Sequence, residues 1–167
     1  MLDYGMPNTR AFLSLILLVA SGCAGNDAAP PPPAVPGGAP AIESASYAPE
    51  LGVDISASTR LPTGMYYRDL VVGTGPVVAA GQRVSVHYDG TFINGARFDR
   101  NAAPDPPFAF QVGNREVIEG WELGVVGMRV GGKRQLIIPP SLGYGPNDYG
   151  PIPGNSILVF TVEVVGQ

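Results

Sequence analysis

The sequence contains very few of the residues that most enzyme centres and metal sites require. Its 167 residues include one cysteine, Cys23, and one histidine, His87. These counts exclude an intrachain disulfide and nearly all zinc sites, Cys–His nucleophile pairs and serine–histidine relays. We therefore expect no metal and no cofactor, and any chemistry must proceed without an obvious nucleophile.

Positive charge is also scarce. Ten Lys and Arg residues against 14 Asp and Glu residues give a net charge of −4, and Lys133 is the only lysine. Because binding to nucleic acid requires clustered basic side chains, we do not expect a nucleic-acid partner. By contrast, the chain has 23 Gly, 18 Pro and 45% hydrophobic residues, which together predict one folded domain with an attached low-complexity segment.

Residues 1–22 have the pattern of an export signal. Arg10 precedes an apolar run at 11–20, which as a helix would be about 15 Å long, or roughly half the thickness of a bilayer core. The run is too short to span a membrane and is typical of a signal peptide. The small residues 21–22 precede Cys23, an arrangement that resembles the bacterial lipobox, in which this thiol is acylated. The alternative is an ordinary signal peptide with an incidental cysteine.

The lipobox resemblance implies a location for the protein. Acylation of Cys23 would anchor the exported chain to a membrane. Ala24 follows Cys23 in place of the aspartate that favours inner-membrane retention. We therefore expect the protein at the periplasmic face of the outer membrane of a two-membrane bacterium.

Residues 23–58 are predicted to be a flexible tether. The segment is rich in Ala, Pro and Gly and has four consecutive prolines at 30–33. Proline removes amide donors and fixes φ, and the segment offers little apolar bulk for a core. A competing interpretation is a proline-rich ligand for an SH3-like partner, which the lack of basic flanking residues disfavours.

Residues 59–167 are predicted to form the folded domain, because strand patterns are concentrated there. Apolar and polar residues alternate at 83–88 and 157–164, which is typical of half-buried strands. Further strands are predicted at 65–72, 108–112 and 133–138. The pair Asn94-Gly95 predicts a tight hairpin turn.

One segment, residues 115–127, follows a helical period instead. Apolar residues at 118, 121, 125 and 128 recur at spacings of three, four and three, and Asn114 is positioned to cap the helix. Three glycines weaken the helix, so its stability must come from packing. The glycine-rich stretch 124–132 is not expected to bind phosphate, because it follows a helix and lacks a Gly-Lys-Ser/Thr ending. The predicted fold is α+β, an antiparallel sheet of about five strands wrapped around one short helix.

Several aromatic residues and one carboxylate are expected to meet at one end of this helix. An ordinary aromatic core is the simplest explanation for Phe160 or Trp121 taken singly. Asp99 is more informative, because a carboxylate close to aromatic rings needs a partner. That partner is either the Tyr88 hydroxyl or an arginine. Arg100 is one candidate, unless its side chain points into solvent.

An ordered set of short motifs resembles the FKBP-type peptidyl-prolyl cis-trans isomerases. The motifs are VHYDG at 86–90, GARFD at 95–99, FAF at 108–110, EVIEGWELG at 116–124, GYG at 143–145 and ILVF at 157–160. Each motif alone is common, but their order and spacing over residues 63–165 are specific. The resemblance implies an FKBP-like fold, X-Pro polypeptides as substrates, and macrolide inhibitors of the FK506 and rapamycin type as ligands.

The resemblance also implies which residues form the site. The predicted catalytic residues are Tyr88, Phe98, Asp99, Tyr144 and Phe160, and the predicted substrate-binding residues are Phe108, Phe110, Val117, Ile118, Trp121 and Ile152. Trp121 would be the floor of the proline pocket. The Tyr144 hydroxyl and the backbone N–H of Ile118 would donate to the substrate carbonyl. The Pro-rich segment occupies the place of the helical arm of dimerising members, so we expect a monomer.

Rotation about an X-Pro bond requires no nucleophile. The barrier of about 18–20 kcal/mol arises from amide resonance, which a dry aromatic pocket weakens. An acceleration of 10⁴ to 10⁵ would need only about 5.5–7 kcal/mol. We therefore assign Asp99 to the electrostatics of the pocket. Two functions remain: an isomerase that assists the folding of exported proteins, and a proline-recognising binding module or chaperone with weak or no turnover.

Overall fold

The computed structural model describes residues 41–167. The expected signal peptide at 1–22, the lipidation candidate Cys23 and the rest of the predicted tether up to residue 40 lie outside this range. The elements in the described range are β1 (Thr59–Arg60), β2 (Tyr66–Val71), β3 (Arg83–Phe92), β4 (Arg97–Asn101), β5 (Phe108–Gln111), α1 (Glu119–Gly124), β6 (Lys133–Ile138) and β7 (Leu158–Gly166), with 3₁₀ turns at Ile42–Ser44, Pro49–Leu51 and Pro140–Leu142. Among these elements, no helix combines the length and the apolar character needed to cross a membrane.

Within residues 41–167, seven antiparallel strands form one sheet. Their order is β1-β2-β6-β7-β3-β4, and β5 pairs with the first half of β3. The sheet and the short helix confirm the predicted α+β fold, with β1 and β4 added to the five expected strands. The predicted turn at Asn94-Gly95 joins β3 to β4, and Gly95 has φ 84°, a value that favours glycine. Because β4 and β5 both pair with β3, their side chains lie close together at one edge of the sheet.

The helix packs unusually close to β6 on the inner face of the sheet. A Cβ atom on Gly120 would lie 2.6 Å from Ile138 Cγ2, and one on Gly124 would lie 2.7 Å from Leu136 Cδ1. Only glycine, whose side chain is a single hydrogen atom, permits the helix to come this close to β6. The glycines that weaken α1 in isolation are therefore what allows it to bury Trp121, which is 4% exposed.

The predicted start of the helix is wrong. The helix begins at Glu119 instead of residue 115, and it has no side-chain cap, because Asn114 lies in the preceding turn and donates to Glu116 Oε1 over 2.6 Å. Arg115 has φ 59°, a left-handed conformation that a helix cannot contain. At the other end, Nη1 of the buried Arg134 donates to the carbonyl oxygen of Gly124 over 2.9 Å.

Residues 41–58, here called the strap, cover the outer face of the sheet. Ile42 is 4% exposed and forms a second core with Tyr66, Ile137 and Ile157. The Tyr66 hydroxyl also donates to Glu43 Oε1 of the strap over 2.6 Å. The predicted tether therefore does not extend to residue 58, because this part supplies apolar side chains that complete the fold.

Candidate functional site

A cavity of about 430 Å³ opens beside the start of α1. It is lined by Tyr88, Asp99, Phe108, Arg115, Glu116, Val117, Ile118, Trp121, Tyr144, Tyr149 and Phe160. Eight of these are among the eleven site residues predicted from sequence. The side chains come from β3, β4, β5, β7, the approach to α1, the helix itself and the loop before β7, so the sheet and the helix jointly position them.

Trp121 is the centre of an aromatic cluster beneath the cavity. The Tyr88 ring lies 4.9 Å from the Trp121 ring at 81°, and the Phe160 ring lies 5.3 Å away at 87°. These edge-to-face contacts are favourable for aromatic pairs. The Trp121 indole nitrogen is buried and has no hydrogen-bond partner within residues 41–167. The base of the cavity is therefore formed mainly by aromatic rings packed edge to face.

Asp99 is held at the exposed rim of the cavity. The Tyr88 hydroxyl donates to Asp99 Oδ2 over 2.8 Å, and the backbone N–H of Arg100 donates to Asp99 Oδ1 over 2.8 Å. Burial, followed by the hydrogen bond and the charge of Asp99, raises the pKa of Tyr88 above its ordinary value. The phenol therefore remains a donor at neutral pH. Because both carboxylate oxygens already accept hydrogen bonds, Asp99 is placed to orient Tyr88 and shape the local field.

The structure decides between the two partners considered for Asp99. The tyrosine hydroxyl binds it, and the Arg100 side chain does not. Arg100 Nε instead lies 3.9 Å from Asp89 Oδ2, and its side chain is 55% exposed. The arginine side chain therefore belongs to the solvent face of β3 and β4.

Tyr144 and the Ile118 amide are the two donors that the resemblance implies. Burial is the largest cause that raises the pKa of Tyr144, followed by Tyr149 and Asp99, so its hydroxyl is protonated at neutral pH. Ile118 is the extended residue before α1. Its N–H donates to no protein acceptor in the described chain, which leaves it available to a ligand.

Three predicted site residues do not line the cavity. Phe110 is fully buried, 5.8 Å from the Trp121 ring, and supports it from behind. Phe98 packs edge-on against Phe160 at 5.4 Å and lies behind that ring. Ile152 is 4% exposed in the main core, where it anchors its loop. All three are adjacent to residues that do line the cavity.

Three lining residues are not among the site residues that the sequence predicts. Arg115 and Glu116 were assigned to a helix, and the turn that actually contains them brings them to the rim. The Glu116 carboxylate accepts from the Gln111 N–H over 3.1 Å. Tyr149 is 62% exposed in a loop rich in Gly and Pro. The signal that the sequence offered was an aromatic residue in such a loop, close to Tyr144 along the chain.

A second cavity of about 450 Å³ lies on the outer face, beside the strap. Its charged side chains are largely paired with each other. Arg97 Nε lies 2.7 Å from Asp89 Oδ1, and Lys133 Nζ lies 3.0 Å from Glu163 Oε2. Because this cavity lacks an aromatic cluster, the inner cavity is the candidate site.

A profile of the FKBP-type peptidyl-prolyl cis-trans isomerases matches residues 75–165. The chain belongs to this family. The match contains every residue that lines the cavity. It begins after the strap, so the strap lies outside the matched residues.

Similar proteins agree with this assignment. FK506-binding protein 4 of Dictyostelium discoideum is 49% identical over 111 residues, which cover 66% of this chain and 30% of that protein. FK506-binding protein 2 of the same organism is 47% identical over 112 residues, which cover 65% of this chain and 81% of that protein.

Solved structures of the family share the fold. The crystal structure of AtFKBP13 is 38% identical, with a TM-score of 0.62, and the match covers 66% of this chain and 98% of that chain. The crystal structure of FkpA from Escherichia coli is 35% identical, with a TM-score of 0.62, and the match covers 70% of this chain and 54% of that chain.

Proposed function

We propose that this FKBP-type chain isomerises X-Pro peptide bonds in polypeptide substrates. The observation that carries the proposal is the cavity in which Tyr88, Phe160 and Trp121 form an aromatic socket beside the Tyr88–Asp99 hydrogen bond. Such a socket fits the apolar proline ring. Its donors lie at the rim, where the substrate carbonyls would be.

The geometry supports catalysis by desolvation and orientation. A planar amide carries extra negative charge on its oxygen, and water stabilises that charge. Aromatic edges replace water poorly at this oxygen, so the twisted and less polar amide is favoured in the cavity. A proline ring held against Trp121 also stays fixed while the preceding residue rotates about the X-Pro bond. No covalent intermediate is needed.

We further propose that the substrates are exported proteins and that Cys23 anchors the enzyme to the outer membrane as a monomer. The apolar run at 11–20 and the small residues before Cys23 support this location. The Pro-rich residues up to the strap would hold the domain away from the bilayer. The names of the relatives support a macrolide of the FK506 type as a ligand of the same socket.

A prolyl-peptide isomerisation assay tests the catalytic proposal. We expect the wild type to accelerate isomerisation and Asp99→Ala and Phe160→Ala to reduce kcat/KM. Trp121 is the only tryptophan, so its emission should change when a macrolide or a prolyl peptide binds. Binding without acceleration would instead support the proline-recognising module or chaperone.

Membrane fractionation tests the proposed anchor. Wild-type protein expressed in a two-membrane bacterium should sediment with the outer membrane and incorporate a labelled fatty acid. Cys23→Ser should abolish both. A Cys23→Ser protein that still fractionates with the membrane would contradict lipid anchoring.

A further inference from the structure

Arg134 is a buried charged residue that the proposed mechanism does not use. It lies on the inner face of β6, two residues before Leu136, and is only 6% exposed. An arginine is almost never buried in a protein unless its charge is paired. Asp69 lies opposite it on β2 and accepts two hydrogen bonds, from Nε over 2.6 Å and from Nη2 over 3.0 Å. The Tyr67 ring lies 4.3 Å from the guanidinium carbon, so strand β2 holds this group from two sides.

The remaining nitrogen of this guanidinium binds the end of α1. Arg134 Nη1 donates to the carbonyl oxygens of Gly124 over 2.9 Å and of Val126 over 3.2 Å. Carbonyl groups at the end of a helix lack partners within the helix and carry partial negative charge, so a cation that donates to them is favourable. A charged group held by the sheet thus fastens the C-terminal end of the helix to β6 and β2.

The face of α1 that lies against β6 has no side chains to fix its position along the strand. That face consists of Gly120 and Gly124, which set how closely the helix approaches. Helices interlock with their neighbours through ridges of side chains, and these two positions carry none. The helix also has only six residues and no side-chain cap at its start, and so short a helix is not stable by itself. The bond from Arg134 to Gly124 therefore supplies a fixed point that the helix otherwise lacks at this face.

Trp121 lies in the helical turn that Arg134 holds. Its carbonyl oxygen accepts a hydrogen bond from the N–H of Val125, the residue after Gly124, over 3.0 Å. Its ring packs against Tyr88 and Phe160, which belong to β3 and β7. Because those two rings are carried by the sheet, a shift of the helix along β6 would change the geometry of the aromatic socket.

We propose that Arg134 is a positioning residue for the isomerase site and that Asp69 orients it. Neither residue lines the inner cavity, so the pair acts without touching the substrate. It fixes the end of α1 and thereby the place of Trp121 beneath the proline ring. Misplacement of a binding group by about 1 Å is enough to reduce turnover strongly. This inference rests on the proposed function, because it explains how the same socket is held in its working geometry.

The first test removes both charges together. The double variant Asp69→Asn/Arg134→Met leaves no buried charge without a partner, and replacing a buried ion pair in this way often costs little stability. We expect the double variant to be about as stable as the wild type in denaturant titration, yet to show a changed Trp121 emission and a kcat/KM lower by about 10-fold. Wild-type emission and wild-type kcat/KM in the double variant would overturn the positioning role.

Arg134→Lys is a second variant, which keeps the positive charge. A lysine ammonium lacks the planar fork of arginine, so it cannot bind Asp69 and the end of the helix in the same geometry. We expect it to show the same changes in Trp121 emission and kcat/KM as the double variant, but smaller ones. Its charge should keep the protein folded where the double variant does not fold.

Two controls separate positioning from a general loss of stability. Arg129 is exposed, and its Nη1 donates to the Gly75 carbonyl over 3.1 Å, outside α1. Arg129→Met should change neither Trp121 emission nor kcat/KM. Ile42→Ala lowers stability through the outer core and should also leave the emission unchanged. Changes as large in either control as in Arg134→Lys would overturn the positioning role.

Ligand binding separates failure of this inference from failure of the proposed function. Calorimetric titration with FK506 reports the state of the socket whether or not the protein isomerises prolyl peptides. We expect the double variant to bind FK506 about 10-fold more weakly than the wild type. If the wild type binds FK506 without accelerating isomerisation, the proposed function fails, and weaker binding with changed emission in the double variant still supports the positioning of Trp121. Equal affinity and equal emission in an active wild type and the double variant would overturn the positioning role alone.

Discussion

The two faces of the sheet are both covered, but of the cavities on them only the inner one is built on an aromatic cluster. Strand β6 shows the division, because Leu136 and Ile138 belong to the inner core and Ile137 to the outer one. On the outer face the strap follows the sheet and buries Ile42 against it. On the inner face the cover is a helix of six residues, Glu119–Gly124. The short helix leaves open the space in which the aromatic cluster lies. We infer that the outer face serves stability alone, whereas the inner face combines stability with binding.

The largest expected effect is on the inner face, at Phe110. Its ring is fully buried and supports Trp121 without lining the cavity. Phe110→Ala should lower the free energy of unfolding by about 3–5 kcal/mol, measured by denaturant titration, because it leaves a cavity in the core. It should also shift Trp121 emission and reduce isomerase activity. Phe110→Leu should lose much less stability, and a loss below about 1 kcal/mol for Phe110→Ala would contradict the supporting role.

Ile42→Ala tests the outer face. Removing this buried strap side chain should lower the free energy of unfolding by about 2–4 kcal/mol. The same variant, assayed where it is still folded, should keep its kcat/KM, because Ile42 contacts the outer core and not the cavity. Leu70→Ala on the exposed part of β2 is the matched control with little expected loss. A fall in activity that accompanies the fall in stability would show that the two faces are coupled.

Tyr88→Phe isolates one polar contact on the inner face. The ring remains in place against Trp121, and only the donor to Asp99 is lost. We expect kcat/KM to fall by about 5- to 10-fold, equivalent to about 1 kcal/mol, with little change in stability because Asp99 remains solvated. Tyr67→Phe, outside the cavity, should not affect kcat/KM. An unchanged kcat/KM in Tyr88→Phe would mean that the hydrogen bond to Asp99 does not contribute to turnover.

The smallest expected effect is the pH response of the strap. The hydrogen bond from Tyr66, followed by the backbone of Glu43 itself, holds the pKa of the Glu43 carboxyl below its ordinary 4.5. A carboxyl whose pKa is lowered in the folded state stabilises the protein at pH values above its ordinary pKa. This stabilisation is lost as the pH falls through the lowered folded-state pKa. Glu43→Gln should therefore reduce the loss of Tm between pH 6 and pH 3. Glu50→Gln serves as the strap control, and identical acid profiles for wild type and Glu43→Gln would contradict the effect.

Local patterns in the sequence were sufficient for much of the fold. Alternation identified the strands that contain Val84, Val86 and Phe160, because a half-buried strand imposes a period of two on its own residues. Asn94-Gly95 identified the hairpin through the backbone conformations that such a turn requires. Because a carboxylate beside aromatic rings needs a partner, the sequence predicted either the Tyr88 hydroxyl or an arginine for Asp99. The structure shows the Tyr88 hydroxyl.

Other features depended on contacts between distant segments. The start of the helix was misjudged because apolar spacing does not report the left-handed conformation of Arg115. The strap was not predicted because its apolar residues, such as Ile42, follow neither a strand period nor a helix period, and the burial of Ile42 requires Tyr66, Ile137 and Ile157 from distant positions.

The sequence by itself determined the family, the order of the strands along the chain and the group of aromatic residues that meet beside the helix. Only the tertiary structure decided which of those rings face the cavity, so that Phe108 lines it while Phe110 lies behind Trp121. The physical reason is that periodicity records whether a side chain is buried. It does not record which atoms from other strands and loops lie between that side chain and solvent.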